Sequence, residues 1–406
     1  MFRHGIKIAG MMAAIVLAIF FITRCGGNGG DSGPVVQPIT YTGVTEPVAI
    51  TLSNAPTLLA NVLFDTTTSA EIPSAVSLTE NLQIAGTLSD FEEHLIAFHR
   101  FTLNTIVGNA ADGYRIPVAE LINETVNCET GYYTAQGTLD DSTGTGTITA
   151  NYYDCLLDGV TANGSLLLHF NEIRIDELTG EYQIVLTYEY LLMTYTEQNS
   201  SISVSGMLTI DESLSGNTFS LQMTRNYVKQ DNNNSKMYRY ENFVETAIVV
   251  SDGVTVTATS AITGIPTAIM YDSLYGSLVV DTIDPYSYSS PIVFYPDGGG
   301  PMLFSGASTR MQLSPESARH AKLELDLDGN TGFEVVRYGL WTELENYTTL
   351  DLTDSDGDGM HDSWERSYGL DVNVDDAASD LDGDQLTNLQ EYQQGYDPND
   401  PLSPAP

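Results

Sequence analysis

Segment after segment of the central chain is rich in β-branched and aromatic residues and ends at a short turn cluster, with no helical stretch between them. Ser165–Phe170, Tyr182–Tyr190, Ser201–Ser205 and Val254–Thr259 are such runs, and Asp158-Gly, Asn163-Gly, Thr179-Gly, Ser215-Gly-Asn, Asp231-Asn-Asn-Asn and Asp252-Gly punctuate them. Parallel strands need crossovers of a dozen residues or more, so turns this short dictate antiparallel pairing. The expected fold is mainly β: an antiparallel meander, either a curved sheet or a sandwich, with one N-terminal helix and a small C-terminal module. That helix is expected near residues 89–106, where Ser89-Asp-Phe-Glu92 reads as a capping box and Phe91, Leu95, Phe98 and Leu103 lie near one face. Glycines at 86, 137, 164, 206 and 276 each precede an apolar run, which reads as turns launching strands at irregular spacing.

The C-terminal module is written in carboxylates. Asp354-Ser-Asp-Gly-Asp-Gly-Met-His-Asp-Ser-Trp-Glu365 is followed by Asp380-Leu-Asp-Gly-Asp-Gln-Leu-Thr-Asn-Leu-Gln-Glu391, twenty-six residues later. In a twelve-residue cation loop, oxygens at positions 1, 3, 5, 7, 9 and 12 wrap a hard ion that takes about six to eight oxygen ligands. Those positions are Asp354, Asp356, Asp358, the carbonyl of Met360, Asp362 and Glu365, then Asp380, Asp382, Asp384, the carbonyl of Leu386, Asn388 and Glu391. The expected ion is Ca²⁺, about two of them. Gly357 and Gly359 allow the bend, whereas Gln385 replaces glycine at position 6 of the second loop and predicts strain there. The Thr-rich residues from Asn346 to Asp354 suit extended chain, so a full EF-hand with an entering helix is not expected. Turns of helix are expected only on the exiting sides, Trp364–Tyr368 before Gly369 and Leu386–Gln394 before Gly395. A look-alike stretch, Asp326-Leu-Asp-Gly-Asn330, has Arg337 where a twelfth-position acid belongs, and reads as a turn between strands.

These loops, with Tyr368-Gly-Leu-Asp371, Asp375-Asp-Ala-Ala-Ser-Asp380, Glu391-Tyr392 and the closing Gly395-Tyr-Asp-Pro-Asn-Asp-Pro401, resemble the thrombospondin type 3 repeats at the C-terminal ends of many bacterial exported proteins. The resemblance covers about the last fifty residues. It implies calcium, and makes Asp375, Asp376, Asp397 and Asp400 secondary candidates, since acids between loops in that family complete neighbouring sites. The module accompanies enzymes and adhesins alike, so it implies no activity.

The N-terminus speaks to compartment. Arg3 and Lys7 precede an apolar run from Ile8 to Ile22, short for a membrane span of about 20 residues and suited to a signal sequence. Cys25 and the following Gly-Gly-Asn-Gly-Gly-Asp-Ser-Gly33 resemble the lipidated cysteine and tether of bacterial lipoproteins, although Arg24 stands where such signals carry a small residue. Ordinary cleavage and an uncleaved anchor are the alternatives. Export makes the remaining Cys128 and Cys155 an expected disulfide. The expected organisation is a signal over 1–25, a flexible tether over 26–50, a β-rich domain over 51–345 and the calcium module over 351–406. The central region also resembles, in style only, β-rich bacterial lipoproteins without an assigned activity.

Charge excludes some partners. With 54 acids against 15 bases the formal charge is −39, so nucleic acid and anionic lipid surfaces are repelled. From Asp351 onward there are fifteen acids and one base, Arg366, so the tail needs a cation to compact. No nucleophile elbow, phosphate loop or His-Glu-x-x-His occurs, and His94 and His99 stand off metal spacing. Glu92, Glu93, Glu172, Glu189 and Glu245 are formal candidates for a carboxylate pair, and Tyr182, Tyr188 and Tyr190 read as sheet packing or as a stacking platform for sugars. The expectation is an exported, lipid-anchored, calcium-binding surface protein of the outer membrane or cell surface, otherwise periplasmic or secreted, with a non-enzymatic structural or adhesive role and a glycan or another surface protein as partner. A secreted glycan-active or glycan-binding protein is the first alternative, a lipid or lipoprotein carrier the second.

Overall fold

The computed structural model describes residues 37–63, 120–341 apart from 141–142, 158, 177–178, 180, 198–199, 252–255, 265–266, 289–295, 317–319 and 331, and 353–402 apart from 395. The signal sequence, Cys25, the helix expected near 89–106 with its histidines and acids, and the segment leading into the first acidic loop therefore lie outside the described residues. Among those described, the protein is mainly β, with few helices and one large antiparallel sheet that does not close into a barrel. The chain divides into two compact units, Met1–Thr40, Phe91–Gly216 and Tyr227–Ser235 against Tyr41–Asp90, Asn217–Asn226 and Lys236–Pro406.

The first unit is a meander of β1 (Glu120–Asn127), β2 (Thr130–Asp140), β3 (Thr145–Leu157), β4 (Val160–Ile175), β5 (Tyr182–Glu197) and β6 (Ser200–Ser215), each antiparallel to the next. Alternate side chains are buried: Leu186, Tyr188 and Tyr190 on β5, facing the same way as Leu166, Leu168 and Phe170 on β4. A strand this long would lose its register with the core if its period slipped by one residue. Irregularities absorb the slip. Between Tyr190 and Met193 the pairing shifts, after which Met193 and Tyr195 are buried instead. A second shift between Tyr152 and Cys155 leaves Asp154 at φ 46°, held by reciprocal bonds with Asn163 of 2.8 and 2.9 Å.

These bends correct the reading of the glycines. Gly164 and Gly206 sit inside β4 and β6, not at turns, with φ 124° and 126°, and Gly137 lies inside β2. A Cβ on Gly164 would come 2.1 Å from the carbonyl oxygen of Leu192, so glycine is there to let neighbouring backbone pass. Cys128, in the β1–β2 turn, and Cys155 on β3 form the expected disulfide, with Cα atoms 5.3 Å apart.

The second unit contains two ladders. One joins the first part of β7 (Thr218–Asp231) to β9 (Phe243–Ser251), β10 (Val256–Thr263) and β13 (Tyr286–Tyr288). The other runs through β8 (Met237–Glu241), β11 (Ala268–Asp272), β12 (Gly276–Thr282), β14 (Met302–Ser305), β15 (Arg310–Pro315), β16 (His320–Asp326) and β17 (Val335–Leu340). Met270, Leu278, Val280, Phe304, Met311, Leu313 and Leu325 form its buried side. At roughly 1.5–3 kcal/mol for each fully buried large apolar side chain, this packing dominates the unit's stability.

The sequence reading missed a helix, α1 (Ala55–Leu63). Pro56 in its first turn was the available signal. It buries Ala55, Leu58, Leu59 and Ala60, and Asn61 donates to Asp272 at 2.7 Å while accepting from the Tyr238 hydroxyl. Of the described part of the expected tether, residues 41–50 belong to this unit, where Val48 N–H donates to Ser277 O and Ile50 N–H to Thr309 Oγ1, while Ile39 N–H donates to Ser205 Oγ within the first unit.

Candidate metal centre

The acid spacing builds the same backbone twice. In the first loop Asp354 accepts from the N–H groups of Gly357 and Gly359, Asp356 from Asp358, and Asp358 from Met360, at 2.8–3.2 Å. In the second, Asp380 accepts from Gly383 and Gln385, Asp382 from Asp384, and Asp384 from Leu386, at 2.7–3.1 Å. Gly357, Gly359 and Gly383 have φ of 80°, 96° and 83°, and Gln385 is forced to 83° in the same left-handed region.

Each loop then feeds a short helix. From α2 (Asp362–Tyr368) the chain leaves at Gly369, φ 79°, where Leu370 N–H returns to Glu365 O, and α3 (Asn388–Gln394) ends with Tyr396 N–H on Glu391 O. Between α2 and the second loop the chain makes only turns, so that loop has no entering helix. Met360, Trp364, Ala377 and Tyr392 form a small core with Tyr368, Leu370 and Leu389 against it. The buried His361 shares a 2.6 Å hydrogen bond between Nδ1 and the Tyr392 hydroxyl, which ties the first loop to the helix after the second.

The inward-facing oxygens are the chemical signature. Asp356 Oδ2, Asp358 Oδ2 and Asp382 Oδ2, both carboxylate oxygens of Glu365 and of Glu391, and Asn388 Oδ1 are buried and receive no hydrogen bond from the chain. Glu365 and Glu391 are 0% exposed. Burying ionised oxygens without a donor is costly unless a cation takes the donor's place. The donor set is all oxygen, which suits a hard ion. Ligand oxygens lie within 4.8 Å of one another in three sets here: Asp354, Asp356 and Asp358; Asp358, Glu365 and Asp376; and Asp380, Asp382 and Asp384.

Electrostatics agree with the geometry. Burial, and then the carboxylates of Asp356, Asp358, Asp362 and Asp376, push Glu365 up to about 7; burial and Asp382, Asp384, Asp380 and Asp397 push Glu391 up to about 7. Asp358 and Asp376 are also raised, chiefly by burial.

Position 9 is placed differently in the two loops. The Asp362 carboxylate accepts from Ser355 N–H and Oγ and from Arg366, each at 2.8 Å, and so closes its own loop. Asn388 turns its amide nitrogen to Asp376, at 3.1 Å from the carbonyl and 3.4 Å from Oδ1. Of the secondary candidates, Asp376 thus joins the first loop's acids. Asp397 and Asp400, like Asp371 outside that set, accept from backbone N–H groups two residues on, as turn-forming side chains do, and Asp375 is exposed.

The look-alike at Asp326–Asn330 is a turn between β16 and β17. Asp326 is buried and takes two bonds from Arg310, at 2.6 and 3.0 Å, so although Asp326, Asp328 and Glu334 cluster, an arginine already neutralises the buried member. The described formal catalytic candidates are each held in an ion pair, and Glu92 and Glu93 lie outside the described residues. Glu172 pairs with Arg174, Glu189 with His169 at 3.0 Å, and the buried Glu245 with Arg225 at 2.6 Å. Tyr188 and Tyr190 are buried with ring centroids 6.1 Å apart, as sheet packing requires, and Tyr182 donates to Glu212.

A scan against protein-family models and comparisons with curated proteins and with solved structures return no match for this chain.

Proposed function

We propose that the C-terminal module is a calcium clasp of the thrombospondin type 3 kind, and that the protein is an exported, lipid-anchored surface protein with a structural or adhesive role. The observation that carries the calcium reading is the pair Glu365 and Glu391, each fully buried with both carboxylate oxygens lacking a donor, at position 12 of loops whose hydrogen bonds match position for position. Asp354, Asp356, Asp358, Glu365 and Asp376 would hold one ion with the Met360 carbonyl; Asp380, Asp382, Asp384 and Glu391 would hold another with the Leu386 carbonyl. Calcium supplies positive charge that lets these carboxylates converge. Turns ahead of the second loop in place of a helix favour a static clasp over a switch that opens a groove. Outside a cell, sites of 10⁻⁴–10⁻³ M affinity at millimolar calcium contribute about 1 kcal/mol each by mass action.

Calorimetric titration of the metal-stripped chain with CaCl₂, alongside MgCl₂, tests this directly. Saturable binding of about two Ca²⁺ that protects residues after 351 from proteolysis is expected. Equal proteolysis with Ca²⁺ and with EGTA overturns the reading. Anchorage is tested by labelling cells with a palmitate analogue: incorporation that Cys25→Ala abolishes is expected, and a protein released unlabelled overturns it.

A further inference from the structure

We propose that Arg337 is a built-in competitor for the cation of the first loop, so that filling this loop weakens the electrostatic tie between the acidic module and the last strand of the sheet. The inference rests on the calcium reading above.

Arg337 lies on β17, opposite Leu323 of β16, and its Nη2 is 3.6 Å from Asp354 Oδ2. Asp354 is position 1 of the first loop. Its carboxylate is already oriented by the loop, through Gly357 N–H on Oδ1 and Gly359 N–H on Oδ2. The guanidinium is therefore not needed to shape the loop; it adds positive charge over a finished ligand. The module's own base, Arg366, is engaged with Asp362, so Arg337 is a cation lent by β17 to the loop that gathers Asp354, Asp356 and Asp358.

A calcium ligand oxygen lies about 2.3–2.6 Å from its ion, which brings a dication on Asp354 within about 6 Å of Arg337. Screening is weak there, because the two side chains are only 16% and 6% exposed. Arg337 is also held to its strand, with Nη1 donating to Val336 O at 2.8 Å, which limits its retreat. The second loop has no equivalent ion pair among the described residues. The two sites are thus set apart: the first has more acids, through Asp376, but works against a resident cation.

The test is calorimetric titration of the full chain with CaCl₂ at low and moderate salt, comparing wild type, Arg337→Gln and Arg337→Lys. Arg337→Gln is expected to tighten one of the two sites by about three- to tenfold, a gain that largely persists at moderate salt because the pair is shielded from solvent, while Arg337→Lys stays near wild type. Unchanged or weaker binding by Arg337→Gln, in a chain whose circular dichroism matches wild type, overturns the proposal and leaves the calcium reading standing. A wild type that binds no calcium overturns both.

Discussion

The side-chain amide of Asn388 donates to Asp376, 3.1 Å from its carbonyl and 3.4 Å from Oδ1, while the Asp376 carboxylate gathers with Asp358 and Glu365. A residue of the second loop thereby positions an acid of the first. Asn388 N–H also binds Ser379 O, and Leu389 N–H binds Ala377 O, so the linker between the loops is folded onto the start of α3. The two loops share a wall.

Replacing Asn388 by Ala removes a donor to the half-buried Asp376, which costs about 0.5–1.5 kcal/mol. The expected outcome is weaker calcium binding at both loops and a tail that is proteolysed at lower urea concentration. Binding that falls at the second loop alone, resolved by a two-site titration, would show that the shared wall has no functional weight.

Gln385 should be a liability. Its φ of 83° is a conformation glycine adopts without strain, and its side chain is exposed, so little contact is lost on removing it. Gln385→Gly should stabilise the calcium-loaded module by about 0.5–1 kcal/mol, less the entropy that glycine adds to the unfolded chain. The readout is tighter binding at one site by about two- to fivefold, with the other unchanged.

The disulfide belongs to the other unit. Closing the loop from Cys128 to Cys155, a separation of 27 residues, constrains the unfolded chain by about 3–4 kcal/mol in the entropy model. A Cys128→Ser, Cys155→Ser double variant should lower the denaturant midpoint of the first unit's unfolding, followed by hydrogen exchange in β2–β4. Calcium titration should be unaffected. Loss of calcium binding in this variant would mean that the units do not fold independently.

The antiparallel class was legible because short turns leave no room for crossovers, and the loops were legible because ligand spacing is a local property. What escaped notice was set by neighbours in space. Gly164 and Gly206 looked like turn residues, yet they sit inside sixteen-residue strands where pairing shifts, and only the partner strands reveal the need for glycine. α1 is nine residues long and draws its stability from burial of Leu58 and Leu59, a tertiary property. Likewise, the spacing does not tell which partners the position-9 residues take in space: Asp362 accepts from Ser355 and Arg366, and Asn388 gives its amide nitrogen to Asp376 while its Oδ1 stays turned inward without a donor.

The pH response of the module should vanish in saturating calcium. Glu365 and Glu391 are held at about 7 in the metal-free fold, against 4.5 ordinarily. Between those values the folded module binds more protons than the unfolded chain. Its metal-free stability is therefore fully present below about pH 4.5 and is lost as pH rises through about 7. Calcium keeps these carboxylates ionised, so in saturating Ca²⁺ neither the folded nor the unfolded chain holds protons on them above about pH 5, and stability should stay level over the rest of the interval. Hydrogen exchange of the α2 backbone, followed from pH 5 to pH 8 after correction for the intrinsic rate, reads both curves. In EGTA protection should fall as pH rises; in saturating CaCl₂ it should stay level. Parallel curves would show that these two glutamates do not carry the coupling between proton, ion and fold.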